Sequence, residues 1–151
     1  MTTKIVFLLL ISVIVANSCN KDKFTTRPML ILKSVNSTSL VNGDDLIFTF
    51  DFTQKSGTLN SIAIRRYSKM CAETTYDTAY NYPIPSFPET NNQTGQITVA
   101  FAYNATKSGE VTISNGTCNV RSDTSIFKFC LRDGDGHFSD TITSSKIAFK
   151  K

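Results

Sequence analysis

Apolar side chains occupy every second position in three segments of this 151-residue chain, and this alternation limits the folds that the chain can adopt. In LIFTFDFT (46–53), the leucine and the three phenylalanines all fall at even-numbered positions. The segments 95–103 and 125–133 have the same pattern. A period of two residues is typical of a β-strand with one buried face, whereas a helix repeats every 3.6 residues. All three segments are therefore predicted to be β-strands.

Four further segments have a weaker strand pattern, and turn residues (Gly, Asn, Asp and Pro) separate them. They are 29–35, 61–68, 79–84 and 141–149. The chain is long enough for one domain with a core, and its 40% hydrophobic and 19% charged residues are typical of a folded chain. About seven strands, with no helical segment in the mature chain, predict an all-β fold, an immunoglobulin-like antiparallel β-sandwich. A small β-barrel is the alternative.

The N-terminus has the features of an export signal. Lys4 is followed by the apolar run IVFLLLISVIV (5–15) and by small or polar residues at 16–18. The apolar run is too short for a permanent transmembrane helix, which needs about 20 residues. Residues 1–18 are therefore predicted to be a signal peptide.

The residues ANSC (16–19), followed by NKDK, resemble the lipobox of bacterial lipoproteins. This resemblance implies that Cys19 becomes the lipidated first residue, so that acyl chains such as palmitate anchor the protein to a membrane. NKDK also resembles the export signals of Bacteroidota surface lipoproteins, which implies an outer-membrane protein at the cell surface. Residues 19–27 would then form the tether and residues 28–151 the domain. A Cys19 that forms a disulfide after ordinary signal cleavage is the alternative.

Three segments of the domain resemble a family of Bacteroidota surface lipoproteins with a single immunoglobulin-like domain. These segments are LIFTFDFTQKSGTL, YPIPSFP and TSIFKFCLRDGDGHFSDTI. The family often has an aspartate-rich D-F-T-D-x-x-G-D-L motif, and here Gln54 and Thr58 replace two of its acidic residues. The resemblance implies a fold and a location, and it carries no activity.

The segment DGDGH (133–137) is the most metal-like feature of the sequence. Asp133 and Asp135 alternate there, and Asp51 ends a strand at the same predicted end of the sandwich. Carboxylate oxygens arranged in this way can bind calcium, although the spacing is not that of an EF-hand. A hairpin turn, which favours Asp and Gly for backbone reasons, is the preferred interpretation. We therefore expect no cofactor, with calcium as the alternative.

The sequence contains no set of residues that predicts catalysis. Cys130 and the single histidine, His137, lie seven positions apart, but no third group marks an oriented base or an oxyanion hole. Cys130 also alternates with the inward phenylalanines, so it should lie on the outer face of its strand. The basic residues are scattered and the net charge is only +4, which excludes a nucleic-acid-binding stripe. We expect a non-enzyme.

The predicted function is that of a non-catalytic, surface-anchored lipoprotein that serves as a binding or structural component of the envelope. Its partner would be a protein or a glycan. The alternative is a carbohydrate-binding accessory lipoprotein of a glycan-uptake system. Tyr76, Tyr80, Tyr82 and Phe87 could form an aromatic platform for a sugar, although Tyr80 and Tyr82 also alternate as a core-facing strand would. The triplets DTA and DTI resemble Bacteroidota O-glycosylation sequons, which implies that Thr78 and Thr141 are acceptors.

Three cysteines remain if Cys19 is lipidated. The third and sixth predicted strands are neighbours in an immunoglobulin-like sandwich, which places Cys71 and Cys118 at one end and Cys130 about 20 Å away. A Cys71–Cys118 disulfide is therefore predicted, with three free thiols as the alternative.

The same topology predicts an orientation on the membrane. The tether would enter at the end that carries the turns 53–60, 85–94 and 132–138. Residues 20–27 reach at most about 28 Å, so this end would lie near the membrane. Partner contacts should then favour the loops at the opposite end. These loops are 36–45, 69–77 and 104–123.

Overall fold

Ten β-strands and no helix make up the part of the chain that the computed structural model describes, which comprises residues 24–68, 77–114 and 122–150. The strands are β1 (Met29–Val35), β2 (Ser39–Leu40), β3 (Asp45–Gln54), β4 (Leu59–Ser68), β5 (Asp77–Pro83), β6 (Gln93–Tyr103), β7 (Val111–Ile113), β8 (Asp123–Asp133), β9 (Ile142–Thr143) and β10 (Ile147–Phe149). The predicted all-β class is therefore confirmed.

The strands form two sheets, with the orders β1-β3-β6-β7 and β2-β10-β8-β4-β5; β9 also pairs with β8. Strands β1, β3 and β6 of one sheet face β5, β4, β8 and β10 of the other, which is the division of an immunoglobulin-like sandwich. That prediction is confirmed, with one difference. Two pairs, β6 with β7 and β10 with β2, are parallel, so both sheets are mixed and not purely antiparallel.

The core between the sheets consists mainly of the alternating phenylalanines. Along β3 and β8 every second residue is buried, as the sequence predicts. The ring of Phe129 lies 4.8 Å from that of Phe48 and 4.6 Å from that of Phe50, both in edge-to-face contacts that stabilise aromatic pairs. These contacts join β8 of one sheet to β3 of the other.

Short strands occur where the sequence predicts loops or a single longer strand. β2 lies within the predicted loop 36–45, and β7 lies within the predicted loop 104–123. The predicted strand 141–149 is divided into β9 and β10 at Ser144, where a side-chain hydrogen bond takes the place of a backbone one. Its amide donates to the carbonyl of Phe127, while its hydroxyl accepts from the Phe127 amide.

The two ends of the sandwich carry the turns that the topology predicts. Met29 at the start of β1 pairs with Thr53, Gln54 pairs with Gln93, and Leu59 pairs with Asp133. The turns 53–60, 85–94 and 132–138 therefore share one end with the start of β1, which we call the tether end. The described parts of the predicted outward loops lie at the opposite end.

A charged pair lies inside the core beside the phenylalanine rings. Arg66 of β4 and Asp123 of β8 are only 1% and 2% exposed, and Arg66 Nη2 lies 3.2 Å from Asp123 Oδ2. Arg66 also donates to the hydroxyl of Ser125 and to the carbonyl of Ser114, and its guanidinium lies 4.4 Å from the ring centre of Phe149. The buried guanidinium therefore has three hydrogen-bond acceptors, which compensate for its lost hydration.

Candidate functional site

A cleft with a volume of about 880 Å³ opens between the two sheets at one lateral edge of the sandwich. β5 is the outermost strand of its sheet, and β7 covers β6 only at residues 101–103, so the rest of β6 is an edge. The segment 84–92 crosses from β5 to β6 and forms the rim of the cleft. Asn92 turns the chain into β6 with a φ of 58°, a conformation that asparagine tolerates.

The inner wall of the cleft is apolar, and none of the lining side chains is charged. Both sheets contribute to these walls. The inner wall consists of Phe52, Ile62, Tyr82, Ile97 and Val99. Prolines and Phe87 from the segment 83–88 line the rim, and the other lining residues are small or polar and uncharged. A volume and composition of this kind are typical of small-molecule sites.

Buried polar atoms without a protein partner lie in the same lining. Gln93 is 6% exposed, and neither its amide nitrogen nor its amide oxygen has a hydrogen-bond partner. The hydroxyl of Tyr82 is also buried and lacks a partner. Buried polar groups nearly always have a partner, because leaving one unsatisfied costs about 1–3 kcal/mol. Each of these atoms exposes less than 1 Å² and has no partner in the protein, so a ligand that reaches them would complete their hydrogen bonding.

The environment of Tyr82 favours its neutral form. Burial, with a smaller contribution from neighbouring Tyr80, raises the pKa of Tyr82 to about 12. The hydroxyl therefore keeps its proton throughout the physiological range and can donate a hydrogen bond.

Gly95 determines how deep the cleft is beside Phe52. A Cβ atom on Gly95 would lie 2.7 Å from Cε1 and 2.9 Å from Cζ of the Phe52 ring. Only glycine lets this ring lie against β6. The ring centre of Phe87 lies 6.2 Å from that of Phe52, so the rim residue packs on the same ring. Gly95 and Phe52 are therefore specific determinants of the cleft's shape.

The predicted cation site forms only in part. Ligand atoms of Asp133, Asp135 and His137 lie within 4.8 Å of one another. Both oxygens of Asp133 are already engaged, because Oδ1 accepts from the His137 amide at 2.7 Å and Oδ2 lies 3.0 Å from His137 Nδ1. Asp133 is 2% exposed and closes the turn, which supports the interpretation of this segment as a hairpin turn. A cation would have to compete with these contacts.

Asp51 does not join this cluster, and its inclusion in the predicted cation set is wrong. It lies within β3 and alternates with the buried phenylalanines, so its side chain is on the outer face of the other sheet. There it forms an ion pair with Lys33 at 3.6 Å. Lying at the same end of the sandwich as residues 133–137 does not bring Asp51 into their cluster, because strand alternation directs its carboxylate away from β8.

Cys130 and His137 do not form a nucleophile and base pair. Cys130 is half-buried on the outer face of β8, as predicted, and its thiol contacts the carbonyl of Ser139 at 3.3 Å. The imidazole of His137 contacts Asp133 instead. Among the residues 24–68, 77–114 and 122–150, no hydrogen bond joins this thiol to the imidazole.

The tyrosines of β5 pack inward and do not form an open platform. Tyr80 and Tyr82 stack on each other, and their ring centres lie 5.5 and 6.1 Å from that of Phe101 in the core. This arrangement confirms the core-facing interpretation of the alternation. Tyr76 lies outside the described residues.

Several predicted sites cannot be placed. Cys19, Cys71 and Cys118 lie outside the described residues, so the lipidation and the disulfide stay predictions. The premise of the disulfide is confirmed, because β4 and β8 are antiparallel neighbours in which Ser68 pairs with Ser125. Of the two predicted glycosylation sites, Thr78 lies in β5 opposite Arg66, and Thr141 is exposed just before β9.

Tyr82 and Phe87, which the sequence grouped as a candidate platform, both line the cleft, but Gln93 and Gly95 were missed. Gln93 fell within the predicted turn 85–94, and Gly95 was taken only as the start of a strand. The available signal was the continuation of the inward, odd-numbered positions of β6 from 97 and 99 back to 93.

In the described part of the chain, no helix has the length and apolar character needed to cross a bilayer.

Comparisons with known proteins do not assign a family. No protein-family model matches the sequence, and no curated protein is significantly similar to it. The fold is similar to that of Spo0M, a sporulation control protein from Bacillus subtilis, with a TM-score of 0.42 and 10% identity over 84% of this chain. The chain spans 51% of the length of Spo0M.

A second similar structure is a Niemann-Pick type C2 protein from the Japanese carpenter ant. Its TM-score is 0.36 and its identity is 13%, over 86% of this chain and 96% of that protein. Both TM-scores are below 0.5, so neither likeness indicates a function.

Proposed function

We propose that this protein is a non-catalytic, surface-anchored lipoprotein that binds a small ligand in the cleft between β5 and β6. The observation that carries the proposal is the cleft itself, whose apolar walls surround buried polar atoms without partners. Buried polar atoms without a partner cost free energy, and a ligand that hydrogen-bonds to them recovers part of this cost.

The anchor in this proposal is a lipidated Cys19. The lipobox resemblance supports it, and the position of β1 agrees with it because the chain enters the domain at the tether end. Residues 25–28 line one cavity together with Phe138 and Ile142 at that end. The rim of the cleft, residues 84–92, begins near the same end. A ligand would therefore enter from the side of the domain, and the three loops at the opposite end would stay available for a protein partner.

Cys19 acylation can be tested directly in cells. We expect an alkyne-modified palmitate to label the protein in the membrane fraction, and we expect Cys19→Ser to abolish the label. Cys130→Ser is the matched control, because this thiol lies on the outer face of β8 and should not affect processing. An unmodified Cys19 in a soluble secreted product would contradict the anchor.

Ligand binding by the cleft can be tested separately from anchoring. The mature chain (19–151) with Cys19→Ser keeps every residue of the core between Leu30 and Phe149. We expect it to bind the uncharged fluorophore N-phenyl-1-naphthylamine. Ile97→Phe places a larger side chain in the cleft and should abolish binding without unfolding the protein. Equal binding by this variant would show that the cleft is not the site.

A further inference from the structure

We infer that the ligand of the cleft is an uncharged amphiphile, with an apolar body and one hydroxyl or carboxamide head group that binds Gln93. This inference rests on the proposed function, because it names the chemistry of the molecule that the cleft would bind.

The absence of charge in the walls argues for a neutral ligand. None of the described lining residues is Asp, Glu, Lys, Arg or His. A carboxylate or ammonium group moved from water into this cleft would lose its hydration without gaining a counter-charge, which is strongly unfavourable. A neutral head group avoids this cost. The cleft therefore selects against fatty acids and cationic amphiphiles.

The amide of Gln93 defines what the head group must offer. Its nitrogen can donate two hydrogen bonds and its oxygen can accept, and neither atom has a partner in the protein. A hydroxyl or a primary carboxamide both donates and accepts, so either group can satisfy both ends of the amide. The hydroxyl of Tyr82 is a second unpartnered polar group in the same lining.

The backbone of Gln93 is fixed by strand pairing between β6 and β3. It pairs with Gln54 of β3, whose side-chain nitrogen donates to the carbonyls of Ser56 and Thr58. The nitrogen of Gln54 is therefore tied to its own turn and only its oxygen lacks a partner, whereas both polar atoms of the Gln93 amide lack one at the lining of the cleft. This difference makes Gln54 a suitable control residue.

The walls argue for an apolar body and against a glycan. Phe52, Ile62, Ile97 and Val99 provide hydrocarbon surface, and burying apolar ligand area against it is favourable by the hydrophobic effect. A sugar carries a hydroxyl on almost every carbon, and the hydroxyls that face this apolar inner wall would lose their hydration without gaining a partner. An amphiphile places its apolar body on this inner wall and its head group against the polar, uncharged part of the lining.

Competition among molecules with the same chain length tests the head group. The mature Cys19→Ser chain, loaded with N-phenyl-1-naphthylamine, is titrated with decanol, decanamide, decanoate, decyltrimethylammonium and decane at neutral pH. We expect decanol and decanamide to displace the fluorophore at the lowest concentrations. The two charged compounds should be at least tenfold weaker, and decane should lie between the two groups.

Two matched variants test the role of Gln93. Gln93→Leu keeps the size of the side chain and removes the amide, so it should reduce the preference for decanol over decane by roughly tenfold, the range of one hydrogen bond. Gln54→Leu removes an equally buried amide that does not line the cleft, and it should leave the preference unchanged. Thermal unfolding of both variants, followed by circular dichroism, verifies that they are folded.

The outcomes separate the two proposals. If the fluorophore does not bind, or if it binds equally to Ile97→Phe, the proposed cleft function is wrong. If the fluorophore binds in the cleft but decanoate competes as well as decanol, the cleft function stands and the neutral-ligand inference is wrong. An unchanged preference for decanol over decane in a folded Gln93→Leu would also overturn the inference, because it would show that Gln93 holds only a structural water.

Discussion

Replacing Arg66 by methionine should destabilise the fold more than any other change at a basic residue in the described part of the chain. Methionine keeps the apolar stem of the side chain and removes the guanidinium. Asp123 would then stay buried at 2% exposure without its counter-charge, although it would still accept from the Ser68 hydroxyl at 2.6 Å and from the Thr124 amide at 2.7 Å. Breaking a buried ion pair from one side typically costs about 3–5 kcal/mol.

The neighbouring arginine provides the control. Arg65 alternates with Arg66 along β4, and its side chain is exposed. Arg65→Met should therefore change the free energy of unfolding by no more than about 0.5 kcal/mol, as exposed substitutions usually do. The comparison keeps the strand and the chemical change the same, and it contrasts an exposed arginine with the buried partner of Asp123.

A double variant separates the pair from its surroundings. Adding Asp123→Leu to Arg66→Met removes the uncompensated charge, so part of the lost stability should return. Recovery should be incomplete, because the hydroxyls of Ser68 and Ser125 would lose their buried acceptor. The chain has no tryptophan, so urea unfolding is best followed by far-ultraviolet circular dichroism. A loss below about 1 kcal/mol for Arg66→Met, or strictly additive single effects, would refute this reasoning.

Four further predictions concern the cleft and the turn. Because burial raises the pKa of Tyr82 from its ordinary value of 10.0 to about 12, its neutral form contributes stability that is present below pH 10 and lost as the pH rises through about 12. Thermal melts across this range should therefore show a steeper loss for the native protein than for Tyr82→Phe, and parallel losses would contradict the assignment. Gly95→Ala should push the ring of Phe52 into the cleft and weaken fluorophore binding several-fold in a titration, whereas unchanged affinity would show that the ring can move elsewhere. Asp133→Ala should lower the free energy of unfolding by about 2 kcal/mol in calcium-free buffer, because the carboxylate closes the turn. Calorimetric titration of the native protein with calcium should give no heat; binding that Asp135→Ala removes would contradict this.

The sequence predicted the parts of this fold that depend on local periodicity. The alternating phenylalanines of β3 and β8 identified both the strands and their buried faces, and the turn residues identified the two ends. The same reasoning could not identify the cleft, because a cleft depends on which strand edges stay uncovered. Nothing within residues 93–100 indicates that β7 pairs with β6 only at 101–103.

Burial of charge was equally hidden from the sequence. Arg66 occupies an inward position of a strand, but the sequence does not show that its guanidinium reaches the carboxylate of Asp123. Its partners lie about fifty residues away or more along the chain, so no motif of fixed spacing could reveal them. The prediction that Asp51 joins the cation site was wrong for a different reason. Its position near one end of the sandwich was predicted correctly, but the outward direction of its side chain was overlooked.

The parallel pairing of β10 with β2 determines when the fold can be completed. Ala148 pairs with Ser39, roughly 110 positions earlier, and closing so large a loop carries a high entropic cost before any contact rewards it. β10 also lies between β2 and β8, so β2 has no place in its sheet until residues 147–149 arrive. Folding of this domain should therefore be slow and should finish with its last strand. A chain crossing a membrane in an extended form would keep the start and the end of its core apart until export of that strand was complete.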